Sequence, residues 1–287
     1  MYAWAVGVGL IDPYIEAGIA RFPLLKPGRT TAKPAKPTLP ANPSDVKAVL
    51  PYLTPVLRDM VMVHGICDMR PSEVIAMQPC FIDKTDPEMW VYIPEKHKNK
   101  HRGKIRVIPI FPEAREILEP YLVRKAPTEY IFSPKESTSQ SRARKTANRK
   151  TPLSCGNKPG TNVKANPKIQ PGESFSRYSY PQAIKRAIAA VNKSRKVENM
   201  MRERDGLEPI PLMDHWAPRQ LRHAKATENR ALAGKAIAAI LLGHAPNSQA
   251  TDAYTWQVIK DEAREKAKQE VREAAKKIIE IQINQNK

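Results

Sequence analysis

The chain has 287 residues, which is long enough for one or two domains with a real hydrophobic core. Its 48 Lys and Arg residues outnumber 29 Asp and Glu residues, and the net charge of +19 favours a polyanionic partner, with nucleic acid as the first candidate. A membrane surface is disfavoured, because the sequence has no clear basic amphipathic helix and no segment near the ~20 apolar residues of a membrane span. A basic protein without a special partner is the remaining alternative.

The three cysteines, Cys67, Cys80 and Cys155, are too few for a disulfide framework and lack the spacing of metal ligands. The apolar N-terminus has no basic leading region and is interrupted by Asp12 and Glu16, so it does not fit a signal peptide. We therefore expect no metal and no cofactor, and a soluble protein of the reducing cytoplasm.

The first part of the sequence predicts a small helical segment and a linker. Residues 2–24 read as one or two short helical pieces broken at Asp12–Pro13. Residues 25–43 are rich in Pro, Lys and Thr, a composition typical of an extended linker. The main domain is expected over residues 44–260.

Helix signals begin the main domain and a hairpin follows them. Ser44 can cap a short helix, Thr54–Pro55 can begin a longer one that ends near Gly65, and Pro71 can begin a third. Residues 90–93 and 106–110 predict two strands around a long basic turn.

After the hairpin, the sequence alternates helical patterns with a basic segment. Residues 112–122 predict a helix and residues 130–132 a short extended piece. Residues 134–172 contain nine Lys and Arg residues against one acid, and we expect a flexible basic insertion.

The C-terminal part predicts further helices at residues 181–191, 218–232 and 235–242, with Gly243 as the C-cap of the last. Ser248 is a candidate cap for a helix through Tyr254, and residues 261–287 form a charged helical tail. The predicted fold class is mostly α with a small antiparallel β hairpin or sheet (α+β).

Some of the polar residues fit the requirements of DNA cleavage without a metal. That chemistry needs a nucleophile that stays attached, cations for the phosphate oxygens and an acid for the leaving 5′-oxygen. Arginine holds two phosphate oxygens with its planar fork, and a partly buried lysine can give up a proton. The sequence supplies these types in order: Arg70 with Glu73 one turn later, Lys98 in the hairpin, Arg219, Arg222 and His223 on one helix, His244, and Tyr254.

This order resembles the R…K…HxxR…LGH…Y pattern of the tyrosine recombinases, and most of all the phage-type integrases of bacterial genomes and mobile elements. The resemblance covers residues 45–260. It implies that Arg70 and Arg222 clamp the scissile phosphate, braced by Glu73. It implies further that Lys98 protonates the 5′-oxygen and that His244 contacts the phosphate or steadies the nucleophile, Tyr254.

The resemblance also implies partners and a location. Double-stranded DNA is the expected substrate, a homotetramer on DNA is the expected assembly, and the bacterial cytoplasm is the expected location. The tail would pack on a neighbouring protomer or fold back on its own domain, and we expect the second for the free protein. The candidate DNA-binding residues are Lys96, Lys100, Arg102, Lys104, Arg142, Arg144, Lys145, Arg149 and Lys150.

Three features depart from the family pattern. Arg219 stands where the family usually has His, and Arg is a poor general base at neutral pH. The spacing from His244 to Tyr254 is one residue longer than usual. Residues 1–24 resemble only the last helix of the family's N-terminal DNA-binding domain, so we expect a remnant of that domain.

Four functions fit the sequence to different degrees. The first is a site-specific recombinase that acts through a 3′-phosphotyrosine. The second is a truncated integrase remnant that binds DNA without cutting it. A type IB topoisomerase-like enzyme uses similar residues, although their order fits it less well. A basic structural protein, such as a ribosomal component, would not need these residues to converge.

Overall fold

The computed structural model describes residues 2–21, 39–97, 100–156, 158, 170–243 and 260–285. The chain divides into two compact units, Met1–Thr38 and Leu39–Lys287. Within the described residues, no helix is both long and apolar enough to cross a membrane.

The first unit contains two short helices, α1 (Tyr2–Gly7) and α2 (Pro13–Ala20). Asp12 is the N-cap of α2, and its side chain accepts a hydrogen bond of 2.8 Å from the backbone N–H of Tyr14. The predicted break at Asp12–Pro13 is therefore confirmed.

The second unit is mostly helical with one small sheet, which confirms the predicted fold class. Among the described residues of this unit, 3₁₀ turns at 50–52, 79–81 and 100–102 join some of its elements. In chain order, the helices and strands are α3 (Pro43–Val49), α4 (Pro55–Ile66), α5 (Pro71–Ile75), β1 (Ile82–Asp83), β2 (Trp90–Tyr92), β3 (Ile108–Ile110), α6 (Pro112–Arg124), α7 (Pro134–Ala147), α8 (Ser179–Arg204), α9 (Pro218–Leu242) and α10 (Lys260–Gln285).

Proline sets where many of these helices begin. Proline suits the first helical position because its missing N–H would be unpaired there anyway. The helices that begin at a proline in the second unit are α3, α4, α5, α6, α7 and α9. The predicted cap of α3 was wrong by two residues, since the side chain of Asn42 caps the helix and accepts a hydrogen bond from the backbone N–H of Ser44.

The sheet is antiparallel with the order β1–β2–β3. Trp90 pairs with Ile110 and Tyr92 with Ile108, so the predicted hairpin is confirmed. Strand β1 was not predicted, because two residues are too few to show an alternating pattern. Residues 130–132, predicted to be extended, form no strand.

The main core is built around α4, which packs against α5, α6, α7 and α9 and shares one buried cluster with residues of the sheet. Val56, Met60 and Val63 of α4 are fully buried, as are Ile108 of β3 and Ile184 of α8. These side chains fix α4, whose C-terminal end leads into the candidate site.

Helix α8 extends beyond the predicted end near residue 191 and continues to Arg204. The amide groups of Asn192 and Asn199 each form two hydrogen bonds with the backbone, at Met213 and Ile210 respectively. The extra turns of α8 therefore support the extended segment that leads to α9.

The expectation of a flexible insertion over residues 134–172 was wrong for residues 134–147, which form α7. Ser133 caps this helix. The Ser137 hydroxyl lies 2.8 Å from that of Thr54, and Gln140 accepts a hydrogen bond from the Val56 N–H at 3.0 Å. Capping and docking on the start of α4 thus override a composition that favours disorder.

Helix α9 covers both of the predicted helices, with an interruption between them. Gly234 has φ 81° and ψ 174°, which is not helical, and the predicted helices lie on either side of it. Gly243 ends α9 in the left-handed conformation, with φ 62°, as predicted.

Helix α10 packs on its own domain, against α9 and β3, as expected for the free protein. Ala274, Ala275 and Ile278 are buried with Met89 and Leu241. Ion pairs at the edge of this contact join Lys268 to Asp83, Arg272 to Asp83 and Asp86, and Lys276 to Asp86 and Glu88.

We predict that Ile278→Ala lowers the free energy of unfolding by about 3 kcal/mol, because it leaves a cavity in this contact. Ile283→Ala on the same helix is the control, and it should cost less than about 0.5 kcal/mol because Ile283 is exposed. Urea unfolding of both variants measures the difference. Equal losses would contradict the packing of α10.

Candidate active site

The candidate site is built around the buried carboxylate of Glu73. Glu73 lies in the first turn of α5, where it accepts a hydrogen bond of 2.7 Å from the backbone N–H of Arg70. The same carboxylate accepts a second hydrogen bond of 2.7 Å from the Arg70 guanidinium. This local pairing ties the Arg70 side chain to the start of the helix that it precedes.

Two further arginines approach the same carboxylate from distant parts of the chain. Arg106, just before β3, places its Nε 3.4 Å from Glu73 Oε1. Arg222, on α9, places its Nη1 3.9 Å from Glu73 Oε2. The side chains of Glu73, Arg106 and Arg222 are 1%, 3% and 10% exposed, against 23% for Arg70.

Charge keeps Glu73 ionised despite its burial. Burial alone would raise the pKa of Glu73, but the Arg106 charge and the contacts of Arg70 outweigh it and hold the pKa below the ordinary value. Burial lowers the pKa of Arg222 to about 10, with a smaller contribution from Arg106. At neutral pH this leaves a carboxylate surrounded by charged guanidinium groups.

Arg222 also connects two backbone segments. Its Nη1 donates to the carbonyl of Asp68 at 2.7 Å, and its Nη2 donates to the carbonyl of Leu242 at 2.8 Å. Arg222 therefore holds the loop before α5 against the end of α9, and this fixes the position of its own guanidinium.

Asp68 is a second buried acid beside the arginines. It has a φ of 53°, a left-handed backbone that Asp tolerates better than most residues, and both of its carboxylate oxygens are buried without a hydrogen-bond partner within the described residues. Burial raises its pKa to about 7, although Arg222 and Arg106 oppose the shift. Asp68 is therefore partly protonated at neutral pH.

His64 supports the loop that carries Arg70. Its Nε2–H donates to the Met69 carbonyl at 3.0 Å, which leaves Nδ1 to accept from the Tyr180 hydroxyl at 3.0 Å. Burial lowers the pKa of His64 to about 4, so the ring is neutral at physiological pH. His64 is thus a structural residue.

The arrangement is suited to bind an anion. Three arginines outnumber the carboxylate of Glu73 and the carboxyl group of Asp68, so the cluster keeps a net positive charge whether or not Asp68 is ionised. The Arg70 side chain is partly exposed, and a guanidinium carries five N–H donors, more than Glu73 can occupy. Phosphate oxygens match this fork geometry.

Of the predicted catalytic residues, the structure brings Arg70, Arg222 and the supporting Glu73 together. Arg219 and His223 are exposed on the first turns of α9. Lys98, His244 and Tyr254 lie outside the described residues.

The hairpin turn approaches the cluster at His97. Burial lowers the pKa of His97, the Arg70 and Arg106 charges add to this, and Glu73 opposes it. These charges act on His97 because the turn lies near the cluster.

The predicted DNA-binding residues have different environments. Arg149 donates to the carbonyls of Thr151, Pro152 and Cys155, so it closes its own loop. The side chain of Arg102 is outside the described set. The exposed members are Lys96, Lys100 and Lys104 in the hairpin turn, Arg142, Arg144 and Lys145 on α7, and Lys150 after it.

Sequence reasoning missed Arg106 and Asp68. The sequence predicts a strand over residues 106–110 and gives Arg106 no separate role, although a single arginine directly before an apolar run is itself a signal, because a charge beside buried residues needs partners. Asp68 carries no pattern in the sequence that predicts its burial.

No family model matches this sequence, and no curated protein matches it. Among solved structures, a fragment of the Tn1549 transposon integrase in complex with circular intermediate DNA is similar, with 15% identity and a TM-score of 0.43 over 82% of this chain. A variant of that integrase, also with a circular intermediate DNA, has 16% identity and a TM-score of 0.44 over 83%. This chain spans 66% and 67% of the two integrase chains.

We predict that Asp68→Asn is more stabilising at high pH than at low pH. Since the pKa of Asp68 is raised from 3.8 to about 7, the folded state binds its proton more tightly than the unfolded state, and wild-type stability falls as pH rises through this window. The advantage of the asparagine variant should therefore grow between about pH 4 and 7, by at most ~4 kcal/mol.

Urea unfolding at a series of pH values measures this difference. His64 has the opposite effect on the pH dependence of stability, because its lowered pKa makes the free energy of unfolding rise from about pH 4 to 6.5. The quantity to follow is therefore the difference in stability between Asp68→Asn and wild type at each pH, in which the contribution of His64 cancels. Asp214→Asn, at an exposed position, is the control. A constant difference between Asp68→Asn and wild type across the window would contradict the prediction.

Proposed function

We propose that this chain is a DNA strand transferase of the tyrosine recombinase type, which cleaves and rejoins DNA through a covalent 3′-phosphotyrosine. The observation that carries the proposal is the convergence of Arg70, Arg106 and Arg222 on Glu73, from three separate parts of the chain. A structural ion pair needs one arginine for one carboxylate. The surplus of positive charge, with Arg70 partly exposed, is what a phosphodiester substrate requires.

The proposed reaction assigns one task to each residue. Arg70 and Arg222 bind the non-bridging oxygens of the scissile phosphate and stabilise the charge that develops on them. Tyr254 loses its phenolic proton to solvent and attacks as the phenolate: its oxygen forms a bond with phosphorus, and the bond from phosphorus to the 5′-oxygen breaks. Lys98 donates a proton to that oxygen, and His244 contacts the phosphate or steadies the nucleophile. Rejoining is the reverse reaction with a second 5′-hydroxyl.

The cations also have to help the nucleophile form. A free tyrosine has a pKa near ~10, so little phenolate is present at neutral pH. Tyr92 cannot replace Tyr254 in this role, because its hydroxyl is buried and donates to the Glu73 carbonyl, and burial raises its pKa. We therefore propose Tyr254 as the nucleophile on the basis of its position in the motif.

A second candidate function is DNA binding without cleavage. Arg219 occupies the position where the resemblance implies a histidine, and in this structure it is exposed near the start of α9. Arginine can bind phosphate but does not accept a proton at neutral pH. If the reaction needs a proton acceptor at position 219, the chain binds the DNA phosphate at the arginine cluster but does not cleave the DNA.

We predict that a nicked duplex with a short, dissociating 5′ fragment traps a covalent protein–DNA adduct, detected by denaturing electrophoresis. Tyr254→Phe should abolish the adduct, and Arg222→Lys should slow its formation by about 100-fold, as the loss of fixed donors to a transition-state oxyanion does. The control is Tyr178→Phe, an exposed tyrosine outside the site, which should react like wild type.

The result separates the two candidate functions. An adduct that persists in Tyr254→Phe would exclude Tyr254 as the nucleophile. Tight DNA binding with no adduct from the wild-type chain would favour the function without cleavage.

We also predict that duplex binding is strongly salt-dependent and that α7 contributes to it. Arg142, Arg144 and Lys145 are exposed on α7, and removing one cation that neutralises a phosphate should reduce the log–log salt slope by about 0.9. The triple substitution of these residues by Gln should therefore lower the slope by as much as about 2.7. Fluorescence anisotropy at several salt concentrations measures it.

The matched control removes the same charge from another helix. Arg264, Lys266 and Lys277 are exposed on α10 and can be replaced together by Gln. This variant should keep the wild-type slope. An equal fall in both triple variants would show that net charge, rather than the α7 surface, determines binding.

A further inference from the structure

Arg106 is a charged side chain in an apolar part of the fold. It is 3% exposed, and the residues that follow it, Val107 and Ile108, are also buried. A charge in such a place is costly unless partners compensate it. The partners of Arg106 therefore indicate why the position is arginine.

Those partners lie on two different elements. The Nε of Arg106 is 3.4 Å from Glu73 Oε1, and its Nη1 donates to the carbonyl of Leu241 in the last turn of α9 at 2.7 Å. Its Nη1 also lies 3.3 Å from the carbonyl of Val107. A single planar group thus spans from the carboxylate at the centre of the site to the end of α9.

The end of α9 is shaped to accept this guanidinium. Gly243 has a φ of +62°, and a Cβ added to it would lie 2.7 Å from Arg106 Nη1 and 3.0 Å from Arg106 Cδ. The first distance is shorter than real Cβ contacts and the second is tight, so a side chain at position 243 would displace the Arg106 guanidinium, and glycine permits the close approach as well as the backbone conformation.

We propose that Arg106 is a positioning residue that locks the last turn of α9 against Glu73 and thereby keeps Arg222 aligned with Arg70. Arg222 donates to the carbonyl of Leu242, the neighbour of Leu241, so the two arginines hold consecutive carbonyls of one helix end. The effect of Arg106 on the rate of cleavage rests on the proposed function, since it requires that Arg70 and Arg222 bind one phosphate. The effect of Arg106 on the stability of the last turn of α9 does not depend on the proposed function.

Lysine cannot do the work of Arg106. An ammonium is a point charge without a rigid fork, and it cannot donate to the Leu241 carbonyl in the same direction while it faces Glu73 Oε1. Arg106→Lys therefore keeps the charge and removes the lock. The matched control is Arg195→Lys on α8, where an arginine also donates to a backbone carbonyl, that of Pro211, at 2.8 Å.

The experiment compares the wild-type chain, Arg106→Lys and the control by three measurements. Hydrogen exchange of the backbone amides at 239–243 reports the last turn of α9. Anisotropy reports affinity for the nicked duplex. The rate of covalent adduct formation on that duplex reports the alignment of the arginines.

In Arg106→Lys, we expect exchange at 239–243 to rise by about tenfold, as local opening becomes easier. Adduct formation should slow by about 100-fold, the effect of a misalignment near 1 Å, while affinity for the duplex changes less than about threefold. The control should match wild type in all three measurements. Addition of guanidinium at millimolar concentration to Arg106→Ala, compared with equal NaCl, should restore part of the adduct rate.

Gly243→Ala provides a second approach if Arg106→Lys does not fold. This variant keeps all three arginines in the sequence, but the added methyl group displaces the guanidinium of Arg106. We therefore expect the same rise in hydrogen exchange and the same fall in the rate of adduct formation. Unchanged exchange at 239–243 in the folded variants would overturn the proposal. Equal losses of affinity and rate would also overturn it, because Arg106 would then act in binding rather than in alignment.

The proposed function and this inference fail in different ways. If the wild-type chain forms no adduct, the strand-transfer proposal fails, while exchange at 239–243 still decides whether Arg106 locks the helix end. If the adduct forms and exchange does not change, the inference fails and the proposed function stands.

Discussion

The site depends on one buried carboxylate, that of Glu73. Three guanidinium groups could not be brought together in a nearly dry place without an anion, because their mutual repulsion and the loss of water would be too costly. Glu73 supplies that anion to Arg70, Arg106 and Arg222. The loop after α4, the residues just before β3 and the first turns of α9 therefore have to meet at this point for the charges to be satisfied.

The cluster has a net positive charge, and this favours the binding of a further anion. One ionised carboxylate does not neutralise three arginines, and Asp68, with its pKa raised to about 7 by burial, supplies only part of a second negative charge. At low effective dielectric, the remaining positive charge attracts a phosphate more strongly than exposed arginines in water would. Asp68 moderates this attraction, because its ionised form cancels part of the field from Arg222 and Arg106.

The parts of this site that are local in sequence were the ones that could be predicted. Arg70 and Glu73 are one helical turn apart at a proline-marked helix start, so their contact follows from helix geometry. The contact of Arg106 with Glu73 depends instead on how β3 packs, which no local pattern reports. The helix α7 was missed for a related reason. Its composition favours disorder, and its stability comes from the Ser133 cap and from contacts with Thr54 and Val56 on a distant element.

The end of α9 shows how the same cations can stabilise the fold and also serve the proposed chemistry. The last carbonyls of a helix lack partners within the helix and carry partial negative charge, so cations near them are stabilising. Here Arg106 and Arg222 bind the carbonyls of Leu241 and Leu242, and this orients both guanidinium groups without any ligand. Catalysis by fixed charges gains most when they need no rearrangement in the transition state. Gly243 follows directly, and because it has no side chain, the guanidinium of Arg106 can lie against this helix end.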